Sequence, residues 1–178
     1  MKATTKNILR VMHIVSWIIF IGMCIQTGAI AYSFIVSLIN TAGARNLYEG
    51  LDLSGLYSYN LRHYGVMVSF LILLSGLKAY MFYFIIKIFF KINFVHPFST
   101  EVAALIRKIS YVALGIGVLG IIANLYSEWL IKRGVELPNL QRHLGGAGEY
   151  LFLAATIFVI AQVFKRGIEI QSENELTV

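Results

Sequence analysis

Apolar residues fill four long stretches of the chain, and polar or turn-forming residues separate these stretches. Between Arg10 and Arg45 the chain holds 34 residues without a charge, whereas a helix needs about 20 residues to cross the hydrocarbon of a bilayer. The pattern predicts an all-α membrane protein with four transmembrane helices, at about residues 11–39, 61–91, 100–130 and 145–171. We expect them to form a single domain over residues 1–178.

A short polar stretch, residues 93–101, interrupts the apolar pattern in the middle of the chain. Pro97 ends the preceding helix, because proline has no backbone N–H and keeps the residue before it out of helical geometry. Ser99 or Thr100 can cap the next helix, and Glu101 then lies in the first turn, where the helix dipole favours a negative charge. We predict an elbow that joins two helical hairpins.

Basic residues set the predicted orientation, because cytoplasmic loops of membrane proteins carry an excess of lysine and arginine. If the elbow and both termini are cytoplasmic, the inner segments hold nine basic residues and the two outer loops hold five. The inner nine are Lys2, Lys6, Arg10, Lys87, Lys91, Arg107, Lys108, Lys165 and Arg166, and the outer five are Arg45, Arg62, Lys132, Arg133 and Arg142. The distribution predicts a cytoplasmic elbow and cytoplasmic termini.

The composition is typical of a membrane protein and argues against a nucleic-acid-binding protein. Hydrophobic residues make up 58% of the chain and charged residues 13%, about half of the charged fraction of soluble domains. The net charge of +6 is spread in short groups without a basic stripe or a nucleic-acid motif, so we expect contact with the lipid bilayer and no direct nucleic-acid binding. A lone cysteine, Cys24, cannot form an intrachain disulfide.

Lys78 is the one charge well inside a predicted membrane helix. An ammonium at the bilayer centre costs roughly 3 kcal/mol on insertion scales, which makes such a residue a candidate for function. The alternative is that Lys78, about three turns before Lys91, extends toward the inner headgroups and has a structural role only. We favour the structural role.

The remaining polar residues do not form a recognisable catalytic or cofactor site. The four histidines lack the paired mid-helix placement that haem needs, and a zinc site from His63, His143, Glu128 and Glu149 has no ligand spacing in its favour. No nucleophile stands beside a base, and no two carboxylates are placed for acid–base catalysis. We therefore expect no enzyme activity, no cofactor and no metal.

Small residues recur in the third predicted helix, at Ala113, Gly115, Gly117 and Gly120. Such residues let membrane helices approach closely. We expect packing within the protein, and association of two copies as a homo-oligomer stays open as the alternative.

Two segments resemble one protein family. Residues 97–101 (PFSTE) resemble the Asn-Pro-Phe-Ser/Thr motif between helices two and three of the bacterial "domain of unknown function 2975" family. Residues 163–178 resemble the ending of that family, in which an apolar pair, basic residues and a glycine precede Glu-Asn-Asp/Glu-Leu-Thr-Val. The four predicted helices match the family over nearly the whole chain.

The resemblance implies a multi-pass protein of the bacterial inner membrane, commonly encoded beside a small Cro/CI-type helix-turn-helix regulator. It implies that the cytoplasmic face binds and restrains that DNA-binding protein. The contact residues would be those that match the two motifs: Phe98, Arg166, Gly167, Glu173, Asn174, Leu176 and Val178. The alternative is that the tail folds back and caps the inner face.

We therefore expect a regulatory membrane protein. The competing hypothesis is a small transporter, a channel subunit or a hydrophobic-ligand-binding protein. It is motivated by Lys78 and by four polar residues inside the predicted helices: Gln26, Asn124, Thr156 and Gln162. A solvent-lined cavity that reaches Lys78 would favour the second hypothesis.

Overall fold

The computed structural model describes residues 3–92 and 98–175, without the side chains of residues 3–6, 41, 42, 174 and 175. Four long helices dominate it: α1 (Ala3–Ile39), α3 (Leu61–Lys91), α4 (Thr100–Ile131) and α6 (Ala147–Glu175). Three short helical segments lie between them: a 3-10 helix (Thr41–Arg45), α2 (Ser54–Tyr59) and α5 (Leu140–Leu144). No β-strand occurs in the described ranges.

Four segments are long and apolar enough to cross a membrane: Asn7–Ile39, Leu61–Lys91, Thr100–Ile131 and Leu140–Glu173. This confirms the prediction of an all-α protein with four membrane-spanning helices.

Side-chain caps explain two of the helix starts. The Asn60 side chain accepts hydrogen bonds from two backbone N–H groups at the start of α3, and Ser99 accepts one from Val102 at the start of α4.

The four long helices pack in an open row in the order α1, α3, α4, α6. Within the described residues, extensive close packing joins each helix to its neighbour in this row and does not join α1 to α6. In the most apolar 18-residue stretch of each span, 39% of the residues are buried in α3 and in α4, against 6% in α1 and 11% in the α5–α6 span. The outer two helices therefore present most of their apolar surface to lipid.

The row has two distinct ends. At the elbow end, where α3 ends and α4 begins, His13 of α1 stacks on Phe89 of α3 and Phe98 contacts Phe164 of α6. At the loop end, Tyr64 of α3 donates a hydrogen bond of 2.7 Å to Ser37 of α1. Helix α1 therefore begins and α6 ends at the same end of the row, as expected for two antiparallel hairpins.

The loop end is a packed cap, which goes beyond the loops that the sequence predicts there. Four leucines of the first connection are at most 1% exposed: Leu47, Leu51, Leu53 and Leu56. The second connection buries Val135, Leu140 and Leu144 against the same core. A hydrogen bond of 3.5 Å from the Asn139 side chain to the Gly50 carbonyl joins the two connections.

Helix α6 begins beside the middle of α4 instead of beside its end. A side chain at Gly120 would lie 3.0 Å from the Ala147 Cβ, and Gly120 precedes the end of α4 by about 11 residues, or ~16 Å of helix. The chain reaches this depth through α5 and Gly146, whose φ of +92° suits glycine. The fourth span therefore consists of α5 and α6 together.

Glycines on one face of α4 set its distance from α6. A Cβ at Gly117 would lie 2.6 Å from the Leu151 side chain, whereas a Cβ at Gly115 would meet nothing within 4 Å. Ser110 Oγ also donates to the Ala154 carbonyl of α6 at 2.9 Å. Two of the small residues predicted to mediate packing therefore do so within the protein.

Candidate functional site

The elbow end brings together the two segments that the sequence analysis singled out. The Phe98 ring contacts the Phe164 ring edge-on, with centroids 5.3 Å apart. The same ring covers Gly167 so closely that a Cβ there would lie 2.6 Å from a Phe98 ring atom. We call Phe98, Phe164 and Gly167 the elbow–tail junction.

The junction gives Phe98 and Gly167 a packing role. Phe98 is partly buried, and Gly167 has no side chain with which to contact a partner. A glycine at this helical position costs about 0.5–1 kcal/mol relative to alanine, and the close approach of Phe98 offsets that cost. Phe164 is the third member of the junction, and it was not among the predicted contact residues. An aromatic side chain one turn before a helical glycine could have indicated that another ring packs at this position.

Two ion pairs flank the junction. Lys91 at the end of α3 bridges to Glu101 in the first turn of α4 at 3.0 Å, which ties the two sides of the elbow together. Arg166 bridges to Glu169 at 2.8 Å. Glu169 therefore pairs with Arg166, and Lys165 lies in a groove between α4 and α6.

Beyond the junction, α6 continues as a helix to Glu175. The described part of the tail therefore projects from the protein and does not fold back over the elbow end. The eight residues that follow Gly167 extend by ~12 Å. Exposed residues at helical spacing, Arg166, Ile170 and Glu173, form the outer face of this projection. The side chain of Asn174 and all of Leu176 and Val178 lie outside the described residues.

Lys78 lies near the middle of α3 and is half-buried. Its ammonium lies over the Tyr150 ring of α6, 5.5 Å from the ring centroid. Helical side chains lean toward the helix N-terminus, which for α3 is the loop end. The direction therefore differs from the expected one toward the headgroups near Lys91. Within the described residues, no carboxylate forms an ion pair with Lys78.

Replacing Lys78 by methionine is expected to change the free energy of unfolding by less than about 1 kcal/mol. The substitution removes a cation–π contact, which destabilises the protein by about 0.5–2 kcal/mol. It also removes the cost of placing a charge in the bilayer, roughly 3 kcal/mol at the centre and less where the membrane relaxes around the charge. The two effects have opposite signs and largely cancel. Thermal unfolding in detergent and the membrane expression level measure the effect. Lys87→Met is the matched control, because Lys87 lies over the Tyr83 ring at 4.5 Å on the same helix. A loss of function with normal expression in Lys78→Met alone would contradict a structural role.

Two of the four polar residues inside the helices donate hydrogen bonds locally. Asn124 donates to the Gly120 carbonyl and Thr156 to the Phe152 carbonyl, both within their own helices. The buried Asn124 Oδ1 has no hydrogen-bond partner within the described residues. His63 forms a hydrogen bond of 2.6 Å with the Tyr126 hydroxyl. Among the described residues, no three His, Cys, Asp or Glu side chains lie close enough together to hold a metal ion.

Comparison with known families decides the affiliation. The family "Protein of unknown function (DUF2975)" matches residues 52–178, most of the chain. The chain belongs to this family. The matched region of the DUF2975 protein includes both halves of the elbow–tail junction and the whole projection of α6. With its four spans, this DUF2975 protein is a multi-pass helical membrane protein. Comparison with curated proteins gives no match, and neither does comparison with solved structures.

Proposed function

We propose that this protein is a regulatory protein of the bacterial inner membrane that binds and restrains a small cytoplasmic helix-turn-helix regulator. The observation that carries the proposal is the helical projection of α6 beyond the elbow–tail junction. An exposed helix at the end of a membrane domain can dock into a groove of a soluble partner through side chains one turn apart.

The charges of the projection suit a DNA-binding partner. The sequence from residue 169 onward contains Glu169, Glu173 and Glu175 and no basic residue. A DNA-binding protein carries a basic surface, and complementary charges speed and orient association. Binding at that surface would place acidic side chains where DNA phosphates bind. The tail would then restrain the regulator by competing with DNA.

The contacts within the protein divide the proposed partner-binding residues into two groups. Phe98 and Gly167 act indirectly, since they fix the direction in which α6 leaves the protein. Arg166 and Glu173 are placed for direct contact, and the exposed Ile170, 46% accessible, supplies an apolar contact between them. Asn174, Leu176 and Val178 extend the same segment in the sequence.

Loss of the tail is expected to abolish partner binding while leaving the membrane domain folded. The full chain is purified from bacterial membranes after co-expression with the proposed helix-turn-helix regulator. A chain that ends at Ser172 should retain normal expression and thermal unfolding, because it keeps every apolar residue of the fourth span, and it should lose the regulator. Glu173→Lys should weaken co-purification in the same direction.

The matched control is Glu136→Lys, which makes the same charge change at an exposed position of the loop end. It should leave co-purification unchanged. Equal loss of the regulator from Glu136→Lys, or full retention by the truncated chain, would contradict docking on the tail. Unfolding or degradation of the truncated chain would instead assign the tail to the stability of the fold.

The proposal requires the elbow end to face the cytoplasm. Reporter fusions at residues 1 and 178 should give a cytoplasmic signal, because nine of the basic residues lie in segments assigned to that side. A fusion near Tyr57 at the loop end should give an external signal. An external signal from residue 178 would overturn the orientation, and partner binding at the elbow end with it.

A second candidate function is the binding of a hydrophobic ligand within the membrane. It is favoured by a groove of about 480 Å³ between α1 and α3, lined by Phe20, Thr27, Gly76 and Tyr80 among other residues, where small side chains open the helix interface. Lys78 is not among its lining residues. Gly76→Phe would fill this groove and should prevent ligand binding there. If the variant still binds and restrains the helix-turn-helix regulator, the first proposal stands without this groove.

A further inference from the structure

A second groove, of about 460 Å³, lies between α4 and α6 at the elbow end. Its polar lining includes Thr100 and Arg107 from α4 and Gln162 and Lys165 from α6. Deeper in the row the groove is lined by apolar side chains, including Phe158. The groove is therefore cationic toward the elbow end and apolar toward the middle of the membrane.

The two cations of the groove are not neutralised by acidic neighbours. Within the described residues, neither Arg107 nor Lys165 forms an ion pair with a carboxylate, and no carboxylate lines the groove. The nearest acidic candidates have other partners, since Glu101 pairs with Lys91 and Glu169 with Arg166. Two positive charges therefore face one cavity, an arrangement that attracts an anion.

The directions of the two side chains favour one shared anion. Side chains in a helix lean toward its N-terminus. For Arg107 that direction is the elbow end, and for Lys165 of the antiparallel α6 it is the middle of the membrane. The two side chains therefore lean toward each other from either end of the groove, and Gln162 lines the groove about one turn before Lys165.

The depth of the groove matches the headgroup boundary. Arg107 lies just before the charge-free run 109–127 of α4, and Lys165 follows the charge-free run 150–164 of α6. Helix residues at this boundary meet the phosphates of membrane lipids, and basic pockets between membrane helices bind anionic headgroups. A free anion would use the cationic half of the groove but not its apolar half.

We propose that this groove binds one anionic glycerophospholipid. Its phosphate lies between Arg107 and Lys165, and an acyl chain follows the groove past Phe158. Arginine and lysine both form charge-assisted hydrogen bonds with phosphate oxygens. The bound lipid would link the N-terminal part of α4 to α6 next to the elbow–tail junction. This site is independent of the proposed regulator, since it requires the bilayer and no soluble partner.

The test uses the full-length protein in a mild uncharged detergent, with native mass spectrometry and thermal unfolding as readouts. Phosphatidylglycerol and phosphatidylcholine of identical acyl chains are compared with inorganic phosphate. We expect one tightly bound phosphatidylglycerol and a rise in Tm, because a ligand that binds only the folded state stabilises it. Phosphatidylcholine should bind at least about tenfold more weakly, because its choline ammonium cancels the net negative charge beside the two cations. Inorganic phosphate should bind at least about tenfold more weakly, because it has no acyl chain for the apolar half of the groove.

Two variants locate the site. Arg107→Gln with Lys165→Gln should weaken phosphatidylglycerol binding by at least about tenfold, the loss expected for one or two charge-assisted hydrogen bonds. Lys132→Gln with Arg142→Gln removes the same charge from exposed positions of the loop end and should leave binding unchanged. Gln162→Trp keeps both cations but fills the groove, and it should also prevent binding.

Several results would overturn the proposal. Equal loss of phosphatidylglycerol binding in the loop-end variant would show that the lipid responds only to the net charge of the protein and not to this groove. Unchanged binding in Gln162→Trp would place the lipid elsewhere. Equal stabilisation by inorganic phosphate would indicate a free-anion site, and equal binding of phosphatidylcholine would show that the groove does not select a lipid of net negative charge.

Discussion

Replacing Tyr64 by alanine is expected to destabilise the protein by about 3–5 kcal/mol, the cost of removing a large aromatic side chain from a packed core. Tyr64 is 0% exposed. Its ring packs against Phe34 of α1 and Tyr57 of α2, with centroids 5.8 and 5.1 Å away. The substitution would leave a cavity where α1, α2 and α3 meet, so the cap at the loop end should loosen together with α1.

The hydroxyl and the ring of Tyr64 can be measured separately. Tyr64→Phe keeps the ring and removes the donor to Ser37, so we expect a loss of about 1–2 kcal/mol. Tyr59→Ala removes an aromatic ring that is 46% exposed at the same end and should cost less than either change. Unfolding by heat or denaturant in a fixed detergent measures all three. A larger effect from Tyr59→Ala than from Tyr64→Ala would contradict the central position of Tyr64.

Replacing Gly167 by alanine is expected to destabilise the protein by about 1–3 kcal/mol, the usual cost of overpacking. The new methyl group would lie 2.6 Å from the Phe98 ring, so α6 or the elbow has to move. Gly115→Ala is the matched control, since a Cβ there meets nothing within 4 Å. It should be neutral or stabilise the helix by up to about 1 kcal/mol, because alanine is the better helix former.

The two glycine substitutions are thus expected to differ in sign. Phe98→Leu combined with Gly167→Ala should recover part of the loss, because a smaller side chain makes room for the methyl group, and the double-mutant cycle measures the coupling. Additive effects would show that the two residues do not meet. Gly167→Ala should also change the exit direction of α6, so partner binding in the proposed assay should fall with Gly167→Ala and not with Gly115→Ala.

Sequence reasoning succeeded where a property belongs to one helix. The apolar pattern and the elbow at Pro97 placed α3 and α4 to within one residue of their observed bounds, since both signals lie within or next to the helix concerned. Ser99, one of the two predicted candidates, caps α4, and it could be predicted because a capping interaction involves only residues a few positions apart. The first helix was predicted from about residue 11, whereas α1 begins at Ala3. Its first turns carry basic residues, so apolar length alone does not identify them as helical.

Properties that depend on how helices face one another were not predictable. In a membrane helix nearly every face is apolar, so the hydrophobic pattern does not indicate which face packs on a neighbour. The sequence therefore did not show that Phe98 covers Gly167, or that α6 begins beside Gly120. The direction of Lys78 depends on the same register, because Tyr150 reaches it only through the deep start of α6.

The uninterrupted course of α6 has a mechanical consequence. One helix of 29 residues joins the glycine-mediated contact with α4 to the acidic tail, and the elbow–tail junction holds it a second time near its other end, so the helix tilts as a single rod. Over a helix of ~43 Å, a change of tilt by ~10° displaces the far end by ~7 Å. Membrane helices adjust their tilt to bilayer thickness. We therefore expect a change in bilayer thickness to displace the tail relative to the start of α6.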